Sequence, residues 1–229
     1  MSLQPFPSDW HSALVLVPHP DDPEYGTGAA VAKWTAQGRT VTYALATRGE
    51  RGIEGMPPEQ AGPLREGEQI RSAAVVGVDD VRFWDFPDSD VRNTAALRAR
   101  ITETITECVP DVVITIYSGP QWAPGLPNQR DHIEFANAVV DAYDAIGAGQ
   151  PGKPRWLFEH GPDGTHGETV DGFVEVAVAS LTAHETYLTV LDPDTPVVEQ
   201  ARAQVDMSTA PHPDFGGRPT VEFILRRQA

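Results

Sequence analysis

Five apolar runs rich in β-branched and aromatic residues set the terms on which this chain can fold: "ALVLVP" (13–18), "TVTYALAT" (40–47), "VRFWDF" (81–86), "DVVITIY" (111–117) and "PRWLFEH" (154–160). Each is too short for an ordinary helix and has the near-continuous apolar character of a strand buried on both faces. Helical spacing fills the gaps between them. Residues 26–37 are alanine-rich and stop at Gly38, residues 63–77 end at Gly77, and residues 94–109 carry Leu97, Ile101 and Ile105 four apart. Glycine is the residue that most readily takes the left-handed conformation that closes a helix. Strands joined by helical crossovers lie parallel, with the helices covering the sheet. The predicted fold class is therefore α/β, a Rossmann-like, mostly parallel sheet with helices on both faces.

Beyond residue 160 the pattern is less regular. "GPDGTHGETVDG" and "LDPDTP" read as loops, "FVEVAVASLTAHETYLTVL" as a strand passing into a helix, and "PTVEFILRR" as a last strand. No linker or repeat divides the sequence, so its 229 residues are expected to form one domain, 1–229, with an irregular C-terminal third. That length can bury a substantial core.

The chain has 33 acidic and 17 basic residues, a formal charge of −16. Its long-range field repels phosphate backbones and anionic headgroups, which argues against nucleic acid and membrane partners. A charged pocket can still admit an anionic small molecule. No apolar run reaches the roughly 18 residues of a membrane span, and "MSLQPFPSDWHS" lacks the basic and apolar segments of a leader. A soluble, cytoplasmic protein is expected, with self-association left open. The single cysteine, Cys108, excludes an internal disulfide and a cysteine-rich zinc cluster; beside Ile101, Ile105 and Val109 it reads as a buried, inert thiol.

In parallel sheets of this kind ligands bind at the carboxyl ends of the strands. Four loops leave that rim: "PHPDDPEYG", "TRGERGIEG", "PDSD" and "YSGPQWAPGLPNQRDH". The first is the most unusual, because an apolar strand ends on a histidine, a proline and two adjacent aspartates. Pro20 fixes its own φ and turns the chain, so His19 and Asp22 can converge on one point while Asp21 projects elsewhere. Adjacent carboxylates raise each other's pKa, and a bound cation keeps both ionised. An imidazole with a carboxylate suits zinc, with Fe(II), Co(II) and Mn(II) also compatible. A third ligand is best supplied by His132: a helix starting near Asp131 puts His132, Ala136, Val139 or Val140, and Tyr143 on one inward stripe. Asp131 can orient an imidazole or a substrate from the outer shell. A satisfied core histidine and a simple N-cap are the alternatives for His132 and Asp131 taken singly.

These residues resemble the PIG-L/LmbE-like family of metal-dependent N-deacetylases acting on N-acetylglucosamine-containing substrates. The resemblance is carried by "PHPDD" (18–22), "TRGERG" (47–52), "LREGEQIRSAAVVGV" (64–78) followed by "FPDSD", and "RDH" (130–132), and "SLTAHETYL" (180–188) is similar to the family's C-terminal histidine helix. It implies His19, Asp22 and His132 as zinc ligands, Asp21 as general base, and Arg65 and Asp88 as sugar-holding residues. The chain departs from the family at Pro23, where Glu commonly follows the second Asp, and at Gln129, where a histidine credited with acid or oxyanion work is usual. Gln129 can donate to an oxyanion but cannot supply a titrating proton; His184 is the other candidate acid. Glu50 and Arg48 of "TRGERG" are placed near the metal as substrate-side groups, with a solvated glycine-rich loop as the alternative. The expected function is metal-dependent removal of an acetyl group from an amino sugar or its conjugate. Two further readings are an amidase on a sugar-linked thiol conjugate and a catalytically lapsed metal- or sugar-binding module.

Overall fold

The computed structural model describes residues 2–147 and 152–229. Strands β1 (Gln4–Pro5) and β2 (Ser12–Val17) are followed by a one-turn helix α1 (Asp22–Gly26) and by α2 (Gly28–Ala36). The alternation continues through β3 (Thr40–Leu45), α3 (Pro58–Val75), β4 (Asp80–Phe83), α4 (Ala95–Cys108) and β5 (Val112–Thr115). A two-stranded hairpin, β6 (Gln121–Ala123) and β7 (Leu126–Pro127), precedes α5 (Arg130–Ala145) and β8 (Trp156–His160). The C-terminal third holds β9 (His166–Thr169), α6 (Val174–Thr182), α7 (Glu185–Leu191), α8 (Val197–Ser208), β10 (Pro211–His212) and β11 (Arg218–Gln228).

All five predicted strands lie side by side in one sheet of order β1-β9-β11-β8-β5-β2-β3-β4, with β10 paired to β11. From β8 to β4 every pairing is parallel; β11 runs antiparallel to both β8 and β9. The chain leaves β2 for β3 and β4 and then returns to the other side of β2 for β5. Connections diverge at the carboxyl ends of β2 and β5, which opens the crevice where such sheets bind ligands.

β2 shows why the strand runs are apolar throughout. Ala13, Val15 and Val17 face a cluster with Ala30, Trp34, Leu181 and Phe223, while Leu14 and Leu16 face Leu97, Ile101, Phe135 and Val139 on the other side. Each large side chain buried this way contributes roughly 1.5–3 kcal/mol. Trp34 satisfies its indole within the core, donating from Nε1 to Glu168 Oε2 at 3.0 Å.

Several expectations are corrected. The C-terminal third is regular: residues 166–169 form a strand, not a loop, and the segment read as a strand passing into a helix is two helices, α6 and α7. Val174, Val176 and Val178 alternate like a strand, but α6 packs against α2, α3 and α8, and that multi-sided burial decides its conformation. Helix α3 begins at Pro58 rather than at residue 63, since Pro58 sits at a first-turn position that needs no amide donor. Cys108 ends α4 half-buried rather than fully enclosed. Among the described residues no helix is long and apolar enough to cross a membrane.

Candidate functional site

The turn after β2 is held in a conformation that only its surroundings can maintain. Asp21 lies in the left-handed region at φ 82°, ψ −29°, which costs a non-glycine residue about 1–2 kcal/mol. Gln69 Oε1 accepts from the Asp21 amide at 2.8 Å, the Asp21 carbonyl accepts from the amides of Glu24 and Tyr25 at 2.9 and 3.0 Å, and Asp22 Oδ2 accepts from the His19 amide at 2.7 Å. The two aspartates are thereby sent apart: Asp21 Oδ1 lies 3.4 Å from Arg65, whereas Asp22 turns to the imidazoles.

Asp22 Oδ2 is 3.3 Å from His19 Nδ1, and Asp22 Oδ1 is 3.2 Å from Nε2 of His132, in the first turn of α5. His19, Asp22 and His132 each offer a ligand atom within 4.8 Å of the others, and all three are buried. The outer contacts fix the rings. His19 Nε2 faces Asp131 Oδ2 at 3.3 Å and Asp88 Oδ1 at 3.4 Å, and His132 Nδ1 lies 3.0 Å from Asn128 Oδ1. A carboxylate or amide behind each imidazole is the arrangement that sets the tautomer of a metal-ligating histidine. His132 Nε2 is buried without a hydrogen-bond partner, close to Asp22 but out of bonding geometry, as a nitrogen that donates a lone pair to a cation would be. These residues fit a divalent ion.

Electrostatics follow the same lines. Burial alone pushes His19 down, but Asp22, Asp131 and Asp88 outweigh it and push it up to about 10. Burial raises Asp22 as well, yet the imidazoles of His132 and His19 hold its carboxyl well below the usual range. Asp21 is pushed up to about 6 by burial, helped by Asp22 and opposed by Arg65. One aspartate is therefore firmly anionic and its neighbour titrates near neutrality.

The other predicted residues are placed as follows. Arg65 is 3 % exposed and donates to the carbonyls of Gly49 and Pro20 at 3.1 and 2.8 Å, so its guanidinium braces the turn that carries Asp21. Gly49, at φ +61°, has no room for a Cβ because that guanidinium occupies the space, which accounts for the first glycine in "TRGERG". Glu50 Oε1 accepts from the Asp88 amide at 2.9 Å, and Asp88 Oδ2 accepts from the Arg51 amide at 2.7 Å. Glu50 and Asp88 thus order the loop behind His19. Gln129 is exposed at the N-cap of α5, with no side-chain capping bond. His184 is fully enclosed, its Nε2 3.4 Å from Glu24 Oε2. It is enclosed within the protein, near enough for its charge to act on Asp21.

The sequence reading did not single out His160, at the carboxyl end of β8. Its ring is 7 % exposed and stacks on Trp122 at 5.7 Å and 25°; Trp122 stands edge-on to His132 at 6.3 Å. The available signal was a histidine closing a strand-like run, "WLFEH", at the same rim as His19.

Known proteins resemble this chain in sequence and in fold. The chain is 31% identical to a 1D-myo-inositol 2-acetamido-2-deoxy-alpha-D-glucopyranoside deacetylase from Kineococcus radiotolerans, over 80% of this chain and 70% of that protein. It is also 31% identical to a diacetylchitobiose deacetylase from Thermococcus kodakarensis, over 56% of this chain and 48% of that protein. The chain thus spans between about half and two-thirds of the length of the curated relatives it matches. The N,N'-diacetylchitobiose deacetylase from Pyrococcus horikoshii shares the fold, with a TM-score of 0.81 at 17% identity, covering 95% of this chain and 84% of that one. The model of the GlcNAc-PI de-N-acetylase family, PIG-L, matches residues 14–143, and the chain belongs to that family.

Proposed function

We propose that this chain, acting as one domain over residues 1–229, is a zinc-dependent N-deacetylase of N-acetylglucosamine-type sugars or their conjugates, working in the cytoplasm. The observation that carries the reading is the convergence of His19, Asp22 and His132 beside a differently oriented Asp21. The relatives named for acetamido sugars support the substrate class, and the mixed nitrogen and oxygen donor set supports zinc over purely oxygen-seeking ions.

An ion held by His19, Asp22 and His132 supplies Lewis acidity, easing deprotonation of water and polarising an acyl carbonyl. The chain's own residues do the rest. Asp21, a buried carboxylate turned away from the three ligands and towards Arg65, is the group placed to take the proton of the attacking water as general base. The same carboxyl then returns that proton to the departing amine. Arg65 keeps Asp21 aimed, while Asp88 and Asp131 hold the His19 ring. The products are acetate and a free amino sugar.

The experiment is a screen of zinc-loaded protein against N-acetylglucosamine, N,N'-diacetylchitobiose and inositol-linked acetamido sugars, reading acetate and free amine. Asp21→Asn is expected to keep the metal and lose turnover. Tight zinc binding with no acetate release from any of them would reject the enzyme and leave a binding module.

A further inference from the structure

His160 has chemistry to offer that no step above uses. It is delivered by β8, the strand beside β5, and Glu159 just before it anchors the strand end: Oε1 accepts from Arg226 Nη1 at 2.7 Å and Oε2 from the Ser118 amide at 3.3 Å. The ring packs against Gly26, where a Cβ would fall 2.1 Å from its Nδ1 and 2.2 Å from its Cε1. Gly26 is one helical turn after Asp22 in α1, so ring and ligand share a face of that helix. Trp122 stacks on the same ring. Within this slot Nε2 is buried and has no hydrogen-bond partner, a condition that costs about 1–3 kcal/mol and that native proteins keep where a ligand supplies the missing partner. Gln129, by contrast, is exposed at its helix start.

We propose that His160 is a substrate-contacting residue of this site, its Nε2–H donating to the acyl oxygen as negative charge builds there. The proposal rests on the deacetylase reading and assigns it a donor that comes from a strand end rather than from the start of α5, where Gln129 is exposed. Gly26 is the matching specificity of the backbone, the residue that lets the ring lie beside Asp22.

The test uses the zinc-loaded full chain with N,N'-diacetylchitobiose as probe, comparing the parent with His160→Ala, His160→Gln and Gly26→Ala. For His160→Ala the expected result is a fall in kcat of about 10²–10³-fold, the usual effect of losing one oxyanion donor, with KM, zinc content and melting temperature close to the parent. His160→Gln keeps a donor and should recover at least part of that loss. Gly26→Ala displaces the ring and should cost little more once His160 is already Ala. Turnover of His160→Ala close to the parent's, no recovery in His160→Gln, or loss of zinc from His160→Ala would each overturn the assignment while leaving the deacetylase reading in place. A parent that releases acetate from none of N-acetylglucosamine, N,N'-diacetylchitobiose and inositol-linked acetamido sugars would overturn both.

Discussion

Loading the metal-free protein with zinc between about pH 7 and 9 is expected to release close to one proton per ion, and that proton comes from His19, because a metal ligand must be deprotonated. Four carboxylates surround this imidazole and its turn, Asp21, Asp22, Asp88 and Asp131, against the one guanidinium of Arg65. With no cation present, the cheapest relief of that charge is a proton on His19, which is why its pKa is pushed up to about 10. The sign follows directly. A group raised in the fold adds stability that is complete below its unfolded value and is lost as pH climbs through its folded value, so the metal-free fold weakens towards about pH 10. Ejecting that proton at about pH 7.5 costs roughly 3 kcal/mol, from about 2.5 pH units at 1.36 kcal/mol each. Zinc affinity should therefore tighten about tenfold per pH unit across this window.

The neighbours do not obscure the measurement. Asp21, near 6, is already ionised in this range, and His160, near 4, is already neutral. Below about pH 6 the ion also displaces the Asp21 proton, and the count should climb towards two. Titration calorimetry in buffers of different ionisation enthalpy reads the proton number directly. Affinity that is flat with pH, with no proton released at pH 8, would refute the claim that carboxylates hold His19 protonated.

Three further outcomes are expected. Asp21→Asn should stabilise the metal-free protein above pH 6 by about 3 kcal/mol, the cost of ionising a carboxyl raised by about two units, and the gain should vanish below about pH 4; asparagine also accepts the left-handed backbone, and denaturation at the two pH values checks it. Asn128→Ala removes the group behind His132 Nδ1 and two donations to the Tyr117 and Gly119 carbonyls; zinc affinity should fall about 10–100-fold by chelator competition. Thr94 caps α4, its side chain accepting from the Leu97 amide at 3.2 Å, so Thr94→Ala should cost about 1 kcal/mol in urea denaturation with no change in zinc binding.

What the sequence made legible was whatever its own local spacing determines. The β-branched runs were strands because each is bounded by turns within a few residues, and Pro20 announced the turn at Asp21 because proline acts on its immediate neighbours. His132 was reachable through the periodicity of α5, whose inward stripe includes Ala136, Val139 and Tyr143. Residues 166–169 were missed because "HGET" has no strand character of its own; that segment is a strand only through pairing with β1 and β11. Arg65 and Glu68 could pass for solvated charges at helical spacing, since nothing local records that both are almost wholly buried. The Pro20 and Gly49 carbonyls and the Asp21 carboxylate that Arg65 meets lie outside its own helix.

His160 shows where the boundary between the two kinds of information falls. Residues 154–160 were read as a strand, and a histidine at its end carried no meaning while its neighbours were unknown. Once β8 is placed beside β5 and β5 beside β2, His160 must emerge at the same edge as His19, because parallel strands end on one side of the sheet. The strand order depends on pairings between segments some forty to a hundred residues apart, a choice made by burial of both sheet faces and not by any one segment. A polar side chain at the carboxyl end of a predicted parallel strand is therefore a site candidate as soon as the strand order is known, and the same rule applied here returns His19 and His160 together.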